Sequence, residues 1–155
     1  MKKSSDYTQP KFYHFSQDSI ILAKFAYDNH SSSSNLNILD LCSGCGVVGI
    51  ELFQKLKSVN SFEFCELQSE YIPFFNDNLK FLTEDQIEKV TFINSNFLDY
   101  KSSNKKFDLI VSNPPYFDEK NHRSSPNKNK NLCRLFVDTS LWELVEVMVH
   151  LLSRL

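Results

Sequence analysis

The chain has 155 residues and a formal net charge of −2, with 41% hydrophobic and 14% aromatic residues. These values predict one domain with a packed α/β interior and exclude a disordered chain. No apolar run is long enough to span a membrane, and the N-terminus lacks the apolar segment of a signal peptide. We therefore expect a cytoplasmic protein with no membrane partner and with its four cysteines reduced.

Apolar periodicity predicts helices that alternate with short buried strands. Helical spacing is found in residues 20–27, 47–56, 69–82 and 141–155. Strands are predicted at residues 36–41, 61–65, 90–93 and 107–111. Residues 118–131 are rich in Asn, Lys and Ser and predict an exposed loop. The last helix has one apolar stripe, made of Leu141, Leu144, Val145, Met148, Leu151 and Leu152. This alternation predicts a mostly parallel sheet with right-handed crossovers and helices on both faces.

A glycine-containing turn follows the first predicted strand, at residues 40–46. Gly44 and Gly46 allow a ligand to approach the backbone closely. Glu66 ends the next strand about 20 residues further on, which is the spacing of a carboxylate that binds a ribose diol. Cys42 replaces the first glycine of the dinucleotide fingerprint, which argues against NAD. Glycines alone leave both nucleotide binding and a plain turn open; the acid at this spacing favours the former.

Two cysteines of this turn, Cys42 and Cys45, form a C-x-x-C pair. No second Cys/His pair accompanies them, so a redox or metal site is disfavoured and we expect no metal. We interpret both as small residues that fill the turn. Cys65 is expected to pack in a strand and Cys133 in a helix.

The sequence Asn113-Pro114-Pro115-Tyr116 follows the fourth predicted strand. The two prolines stiffen the turn and remove two backbone donors. The Asn113 side-chain oxygen and the Pro114 carbonyl can then accept both hydrogens of one planar NH₂ group, while Tyr116 offers a ring for stacking. The alternative is a rigid loop without chemistry.

The run ILDLCSGCGVVGIEL resembles motif I of class I S-adenosylmethionine (AdoMet) methyltransferases. The resemblance implies a Rossmann-like fold with AdoMet as the cofactor. It implies that Asp40 holds the methionine amino group, that Glu66 binds the ribose diol, and that Asn96 and Phe97 contact the adenine. The remaining implied cofactor residues are Cys42, Ser43, Gly44, Gly46 and Asn113.

Asn-Pro-Pro-Tyr resembles motif IV of the amino methyltransferases, which act on adenine N6, cytosine N4, guanine N2 or a glutamine side chain. Residues 9–19 resemble the lead-in of the bacterial family that methylates adenine N6 beside the anticodon of a valine tRNA. That likeness implies that Phe15, Ser16 and Asp18 close over the methionine end of the cofactor; Asp18 also suits a helix N-cap. Phe136 departs from this family, which has Glu at that place.

Two groups of basic residues suit contact with the phosphates of a tRNA, although a solvated loop is an alternative. The first group is Lys120, His122, Arg123, Lys128, Lys130 and Arg134. The second is Lys101, Lys105 and Lys106.

We interpret residues 1–155 as one partial methyltransferase domain, in which residues 1–35 cap the cofactor and residues 36–155 form the Rossmann-like core. The class I fold continues to strands five to seven, which we expect this chain to lack. The outer edge of strand four is then exposed unless a partner chain or the missing C-terminal half covers it. The first hypothesis is an AdoMet-dependent adenine-N6 methyltransferase acting on tRNA. The alternatives are methylation of glutamine, ribosomal RNA or DNA, or a non-catalytic AdoMet- or RNA-binding remnant.

Overall fold

The computed structural model describes residues 6–12, 14–115, 117–118, 128–132, 135–136 and 139–153. The strands are β1 (Leu36–Leu41), β2 (Val59–Glu66), β3 (Val90–Asn94), β4 (Leu109–Ser112), β5 (Phe117–Asp118) and β6 (Leu135–Phe136). The α-helices are α1 (Gln17–His30), α2 (Val47–Phe53), α3 (Ile72–Asn78), α4 (Glu84–Ile87), α5 (Lys128–Leu132) and α6 (Leu141–Leu151). Short 3₁₀ segments lie at Ser69–Tyr71, Leu79–Phe81 and Phe97–Ser102.

The main sheet has four parallel strands in the order β3-β2-β1-β4. Successive residues of β1 point to opposite faces, as the pleat requires. Ile38 packs into one core cluster with residues of α1, α2 and α3. Leu39 and Leu41 pack into a second cluster with residues of α6 and of the segment after β3. Helices therefore cover both faces, and the predicted α/β architecture is confirmed.

The segment between β2 and β3 is less regular than predicted. The helix expected over residues 69–82 is α3, flanked by two 3₁₀ segments. Pro73 lies in the first turn of α3, where its missing N–H would have no intrahelical partner. A capping box of Thr83 and Gln86 begins α4 before the chain enters β3.

The prediction of an exposed loop over residues 118–131 was wrong in part, because its described residues belong to short regular elements; residues 119–127 lie outside the described residues. Phe117–Asp118 pairs in parallel with Leu135–Phe136, and Lys128–Leu132 forms the short helix α5. Strands of two residues and a helix of five are shorter than the window in which periodicity can be detected, so the polar composition concealed them.

Helix α6 also differs from its prediction, since it ends at Leu151 and its apolar stripe is divided. Leu144 and Leu151 are buried, whereas Leu141 and Val145 are exposed. Beyond the helix, Leu152 forms a parallel bridge with Phe107. The Phe107 N–H donates to Leu151 O at 2.9 Å, and the Ser153 N–H donates to Phe107 O at 2.8 Å. The chain that leaves α6 thus lies beside the residues that precede β4. Among the helices described, none combines the length and hydropathy needed to cross a membrane.

Candidate active site

One cavity lies where the four parallel strands of the main sheet end. Its walls come from the turn after β1, from Glu66 at the end of β2, from residues 95–97 after β3 and from Asn113 after β4. Ligands of open α/β sheets bind in the crevice at the carboxyl ends of the strands, because the connecting loops diverge there. The topology therefore brings together four segments that are far apart in the sequence.

The turn after β1 depends on left-handed backbone conformations. Gly44 and Gly46 have φ angles of +55° and +81°, and Cys42 has φ +63°. A Cβ on Gly46 would lie 2.7 Å from Cδ2 of Phe75, so only glycine fits against that ring. For the non-glycine Cys42, this conformation costs on the order of 1 kcal/mol. Backbone strain of this size is typical of loops whose shape is set by a binding site.

Asp40 lies beneath this turn and does not line the cavity. Its side chain is completely buried, and Oδ2 accepts a hydrogen bond from the Gly49 N–H at 2.8 Å. Oδ1 has no hydrogen-bond partner among the described residues. Burial, the largest cause, raises the pKa of Asp40 from 3.8 to about 7. Asp40 therefore supports the start of α2. The contact with the cofactor that the resemblance implies for Asp40 stays a prediction.

Glu66 is a cavity-lining carboxylate that joins two loops. Oε2 accepts from the Gly44 N–H at 2.8 Å, and Oε1 accepts from the Gln68 N–H at 2.9 Å. Burial raises the pKa of Glu66 above its ordinary value, although these two amides act in the opposite direction. Each carboxylate oxygen retains a second lone pair. The carboxylate can therefore accept hydroxyl hydrogen bonds while it holds the wall together.

Asn96 and Phe97 line the opposite part of the cavity. Asn96 Oδ1 caps the following 3₁₀ segment by accepting from the Leu98 N–H at 3.0 Å. The Asn96 side chain, which is predicted to contact adenine, therefore also stabilises the start of this 3₁₀ segment. Phe97 is largely buried and packs with the cluster that contains Leu41 and Cys65.

Asn113 and Pro115 also line the cavity, whereas Pro114 does not. The Asn113 Nδ2 donates to Ser19 Oγ at 3.0 Å, and the Ser112 hydroxyl donates to Leu41 O at 2.6 Å. These bonds tie the end of β4 to α1 and to the neighbouring β1. Tyr116 lies outside the described residues.

The N-terminal segment contributes Phe15 to the cavity but neither Ser16 nor Asp18. The Phe15 N–H donates to Gln9 Oε1 at 3.0 Å. Ser16, not Asp18, occupies the N-cap position of α1; its hydroxyl bonds to the Asp18 carboxylate, and both residues are exposed. The prediction of Asp18 as N-cap was therefore wrong by two residues.

A buried asparagine that sequence reasoning missed fixes this N-terminal segment. Asn78 Oδ1 accepts from the Thr8 N–H at 2.8 Å, and its Nδ2 donates to Thr8 O and Cys45 O, both at 3.0 Å. The Asn78 side-chain amide therefore joins the N-terminal segment around Thr8 to the turn after β1. Nothing in the sequence around Asn78 indicates partners 33 and 70 residues away.

Several other cavity residues were not predicted as site residues. They are Gln9, Ser19, Cys45, Val47, Val48, Cys65, Leu67, Gln68, Tyr71, Ser95, Leu132 and Thr139. Most of them are adjacent in the sequence to a predicted site residue, and this adjacency could have identified them. Leu132 is different because it belongs to α5, which is tied down by a hydrogen bond from Asn129 to Glu70 at 3.1 Å.

The cavity cysteines Cys42, Cys45 and Cys65 are free thiols; Cys45 and Cys65 are buried, and Cys42 is partly exposed. Burial raises the pKa of Cys45 and that of Cys65 to about 12, so both are protonated at neutral pH. Protonated thiols are poor nucleophiles and poor metal ligands. Within the described part of the chain, no group of three His, Cys, Asp or Glu residues is placed to hold a metal ion.

The second basic group does not form a free patch. Lys105 pairs with Glu63 at 2.6 Å, Lys101 lies 3.8 Å from Glu143, and the Lys106 ammonium donates to His150 O. Each of the three lysines therefore has a partner in its own chain, and their contact with phosphates stays a prediction.

Two residues of the first basic group, Lys128 and Lys130, belong to helix α5. The others, namely Lys120, His122, Arg123 and Arg134, fall outside the described residues, as does Cys133.

A parallel sheet whose carboxyl ends present a glycine turn, a buried glutamate and Asn-Pro-Pro has the Rossmann-like methyltransferase fold. The chain matches the model of the methyltransferase small domain family over residues 15–140 and belongs to that family.

Similar proteins support this assignment. A release factor glutamine methyltransferase of Fusobacterium nucleatum is 37% identical over 95 residues, which cover 61% of this chain and 26% of that protein. A tRNA1(Val) (adenine(37)-N6)-methyltransferase of Glaesserella parasuis is 31% identical over 126 residues, covering 76% and 46%. The chain thus spans less than half the length of either relative. A candidate RNA methyltransferase of Pyrococcus horikoshii shares the fold with a TM-score of 0.65 at 15% identity, over 96% of this chain and 64% of that one.

Proposed function

We propose that this chain is an AdoMet-dependent methyltransferase that transfers a methyl group to the N6 amino group of adenine in tRNA. The observation that carries the proposal is the position of Asn113, which lies in the same cavity as Glu66 and the turn after β1. An amide acceptor and a diol-binding carboxylate in one cavity suit a reaction between an amino group and a nucleoside cofactor.

The cavity fits AdoMet in its chemistry. Glu66 offers acceptors for the ribose hydroxyls, and Phe97 and Leu67 offer apolar surface to a planar base. The hydroxyl of Ser43 is buried in the wall and has no hydrogen-bond partner among the described residues, as expected where a polar ligand binds. When bound, AdoMet supplies the electrophilic methyl group.

The residues after β4 orient the amino group. In this proposal the Asn113 side-chain oxygen accepts one hydrogen, and the other goes to the carbonyl of Pro114, which lies between the cavity residues Asn113 and Pro115 without itself lining the cavity. The two bonds turn the nitrogen lone pair away from the ring and toward the methyl donor. As the nitrogen becomes positive, the same two oxygens stabilise that charge. The proton leaves after methyl transfer, so no strong base is required.

The choice of adenine in tRNA over glutamine rests on the lead-in segment. Gln9 and Phe15 lie in the cavity, and the match to the tRNA1(Val) (adenine(37)-N6)-methyltransferase covers more of this chain than the match to the glutamine enzyme. Glutamine in a protein is the second candidate, because the glutamine enzyme has the higher identity. The two substrates share a planar NH₂ group, which the Asn-Pro-Pro turn accepts in either case.

The test is incorporation of a labelled methyl group from AdoMet into unmodified tRNA, with a release factor as the competing substrate. We expect label in tRNA, recovered as N6-methyladenosine. Label in the release factor alone would move the assignment to glutamine, and AdoMet binding without transfer to any substrate would indicate a non-catalytic remnant.

Two asparagine variants sharpen this test. Asn113→Ala should abolish transfer while AdoMet still binds in calorimetry, because it removes the acceptor of the amino group and leaves Glu66 in place. Asn60→Ala is the matched control, since Asn60 bonds through its amide to Asn37 at the opposite end of the sheet. Retained turnover in Asn113→Ala would contradict the assigned role.

A further inference from the structure

Ser19 is a cavity residue whose hydroxyl has a specific partner. It lies in the first turns of α1, is 2% exposed, and its Oγ accepts a hydrogen bond from Asn113 Nδ2 at 3.0 Å. The two residues are 94 positions apart in the sequence. The bond therefore connects the N-terminal helix to the residue that is proposed to hold the reacting amino group.

The hydroxyl is not explained by helix stability. Alanine has a higher helix propensity than serine, and a buried hydroxyl is unfavourable unless it is hydrogen-bonded. The neighbouring buried positions of α1 are Ile20, Ala23 and Ala26, which pack into the apolar core. Ser19 is thus a polar residue on an apolar helix face, at the point where that face meets Asn113.

The bond also fixes where the two ends of the Asn113 amide lie. A serine hydroxyl can accept from an amide nitrogen or donate to an amide oxygen, but only the amide oxygen can accept a hydrogen from a substrate amino group. In this structure Ser19 accepts from Nδ2, which places Oδ1 at the other end of the amide. A flipped amide would instead present N–H groups to the N–H groups of the substrate.

We propose that Ser19 is a positioning residue, which holds the Asn113 side chain in place so that its oxygen can accept a hydrogen from the substrate amino group. The inference rests on the proposed function and assigns Ser19 no contact with the reacting atoms. Helix α1 is well suited to this task, because it packs against α2 and so holds the Ser19 hydroxyl in a constant place.

Kinetics of Ser19→Ala test the proposal. We expect kcat to fall about tenfold, the equivalent of one lost hydrogen bond of about 1.4 kcal/mol. The Kd for AdoMet and the melting temperature should stay unchanged. Ser19→Thr, which retains the Oγ, should restore kcat. Ser61→Ala is the matched control, since its hydroxyl bonds to the Asn37 side chain at 2.9 Å at the other end of the sheet. An unchanged kcat in Ser19→Ala would overturn the proposal, as would a loss shared equally by Ser61→Ala.

A second measurement does not depend on activity. In the NMR spectrum, the Asn113 side-chain NH₂ pair can be identified by its disappearance in Asn113→Asp. One proton of this pair should be shifted and protected by the bond to Ser19, and Ser19→Ala should abolish both effects. If the wild-type chain transfers no methyl group, the proposed function fails while this spectrum still decides whether Ser19 holds the amide. If the pair is unaffected by Ser19→Ala, the inference is wrong whatever the activity.

Discussion

Replacing Asp40 by asparagine should change how the stability of this protein depends on pH. The Asp40 carboxyl is fully buried, with its pKa raised from 3.8 to about 7 chiefly by burial. A raised acid pKa means that the folded state holds the proton more tightly than the unfolded state. This contribution to stability is complete below the unfolded pKa of 3.8 and is lost as the pH rises through about 7.

The size of the effect follows from the two pKa values. Between about pH 5.5 and about pH 8.5, the free energy of unfolding of the wild type should fall by about 2 kcal/mol through this carboxyl alone. The amide introduced by Asp40→Asn cannot ionise, so the variant lacks that slope. Its nitrogen occupies a buried place where Oδ1 of the wild type has no described partner, which adds a cost that does not vary with pH. The slope of the difference, not its absolute value, is therefore the quantity to measure.

Urea unfolding of both proteins across this pH range provides the measurement. Asp77→Asn, an exposed site on α3, is the control for removing one charge from the surface. We expect the stability of Asp40→Asn to gain on the wild type as the pH rises to about 7 and then to keep a constant difference, whereas the curve of Asp77→Asn should run parallel to that of the wild type. Parallel curves for Asp40→Asn would refute the reasoning, because they would mean that Asp40 holds no extra proton in the folded state.

Three further outcomes are expected. Gly49→Ala should lower the free energy of unfolding in urea by about 1–3 kcal/mol, since its Cβ would lie 2.3 Å from the Phe64 ring; a neutral result would show that the ring moves freely. Asn78→Ala removes both hydrogen bonds between Asn78 and Thr8. The variant should therefore bind AdoMet more weakly in calorimetry, and its N-terminal segment should be cleaved faster by a protease. An unchanged rate of cleavage would show that Asn78 does not hold this segment in place. Lys105→Ala should leave tRNA affinity in a filter-binding assay unaltered, because its ammonium is already paired; weaker binding would restore the basic-patch hypothesis.

The main sheet and its turn were predictable because their signals are local. A buried strand followed by glycines, and an acid at the end of the next strand, are contiguous patterns that backbone sterics and the pleat impose. Glu66 was identified in this way, and it lines the cavity; its contact with a ribose stays a prediction.

Long-range side-chain pairs were not predictable, because no local pattern encodes them. The bonds from Asn78 to Thr8 and from Asn113 to Ser19 depend on how α3 and α1 dock on the sheet. The pairing of Lys105 with Glu63 has the same origin, so the sequence could not show that this lysine has an acidic partner.

The two backbone amides that hold the Glu66 carboxylate have a thermodynamic consequence. The loops after β1 and β2 are joined through this one side chain before any ligand enters. A nucleoside that docks there meets a wall whose conformational entropy was already lost when the protein folded. Little of its binding energy is then needed to order the protein, so the entropy of association should be dominated by released water and by the ligand's own lost freedom.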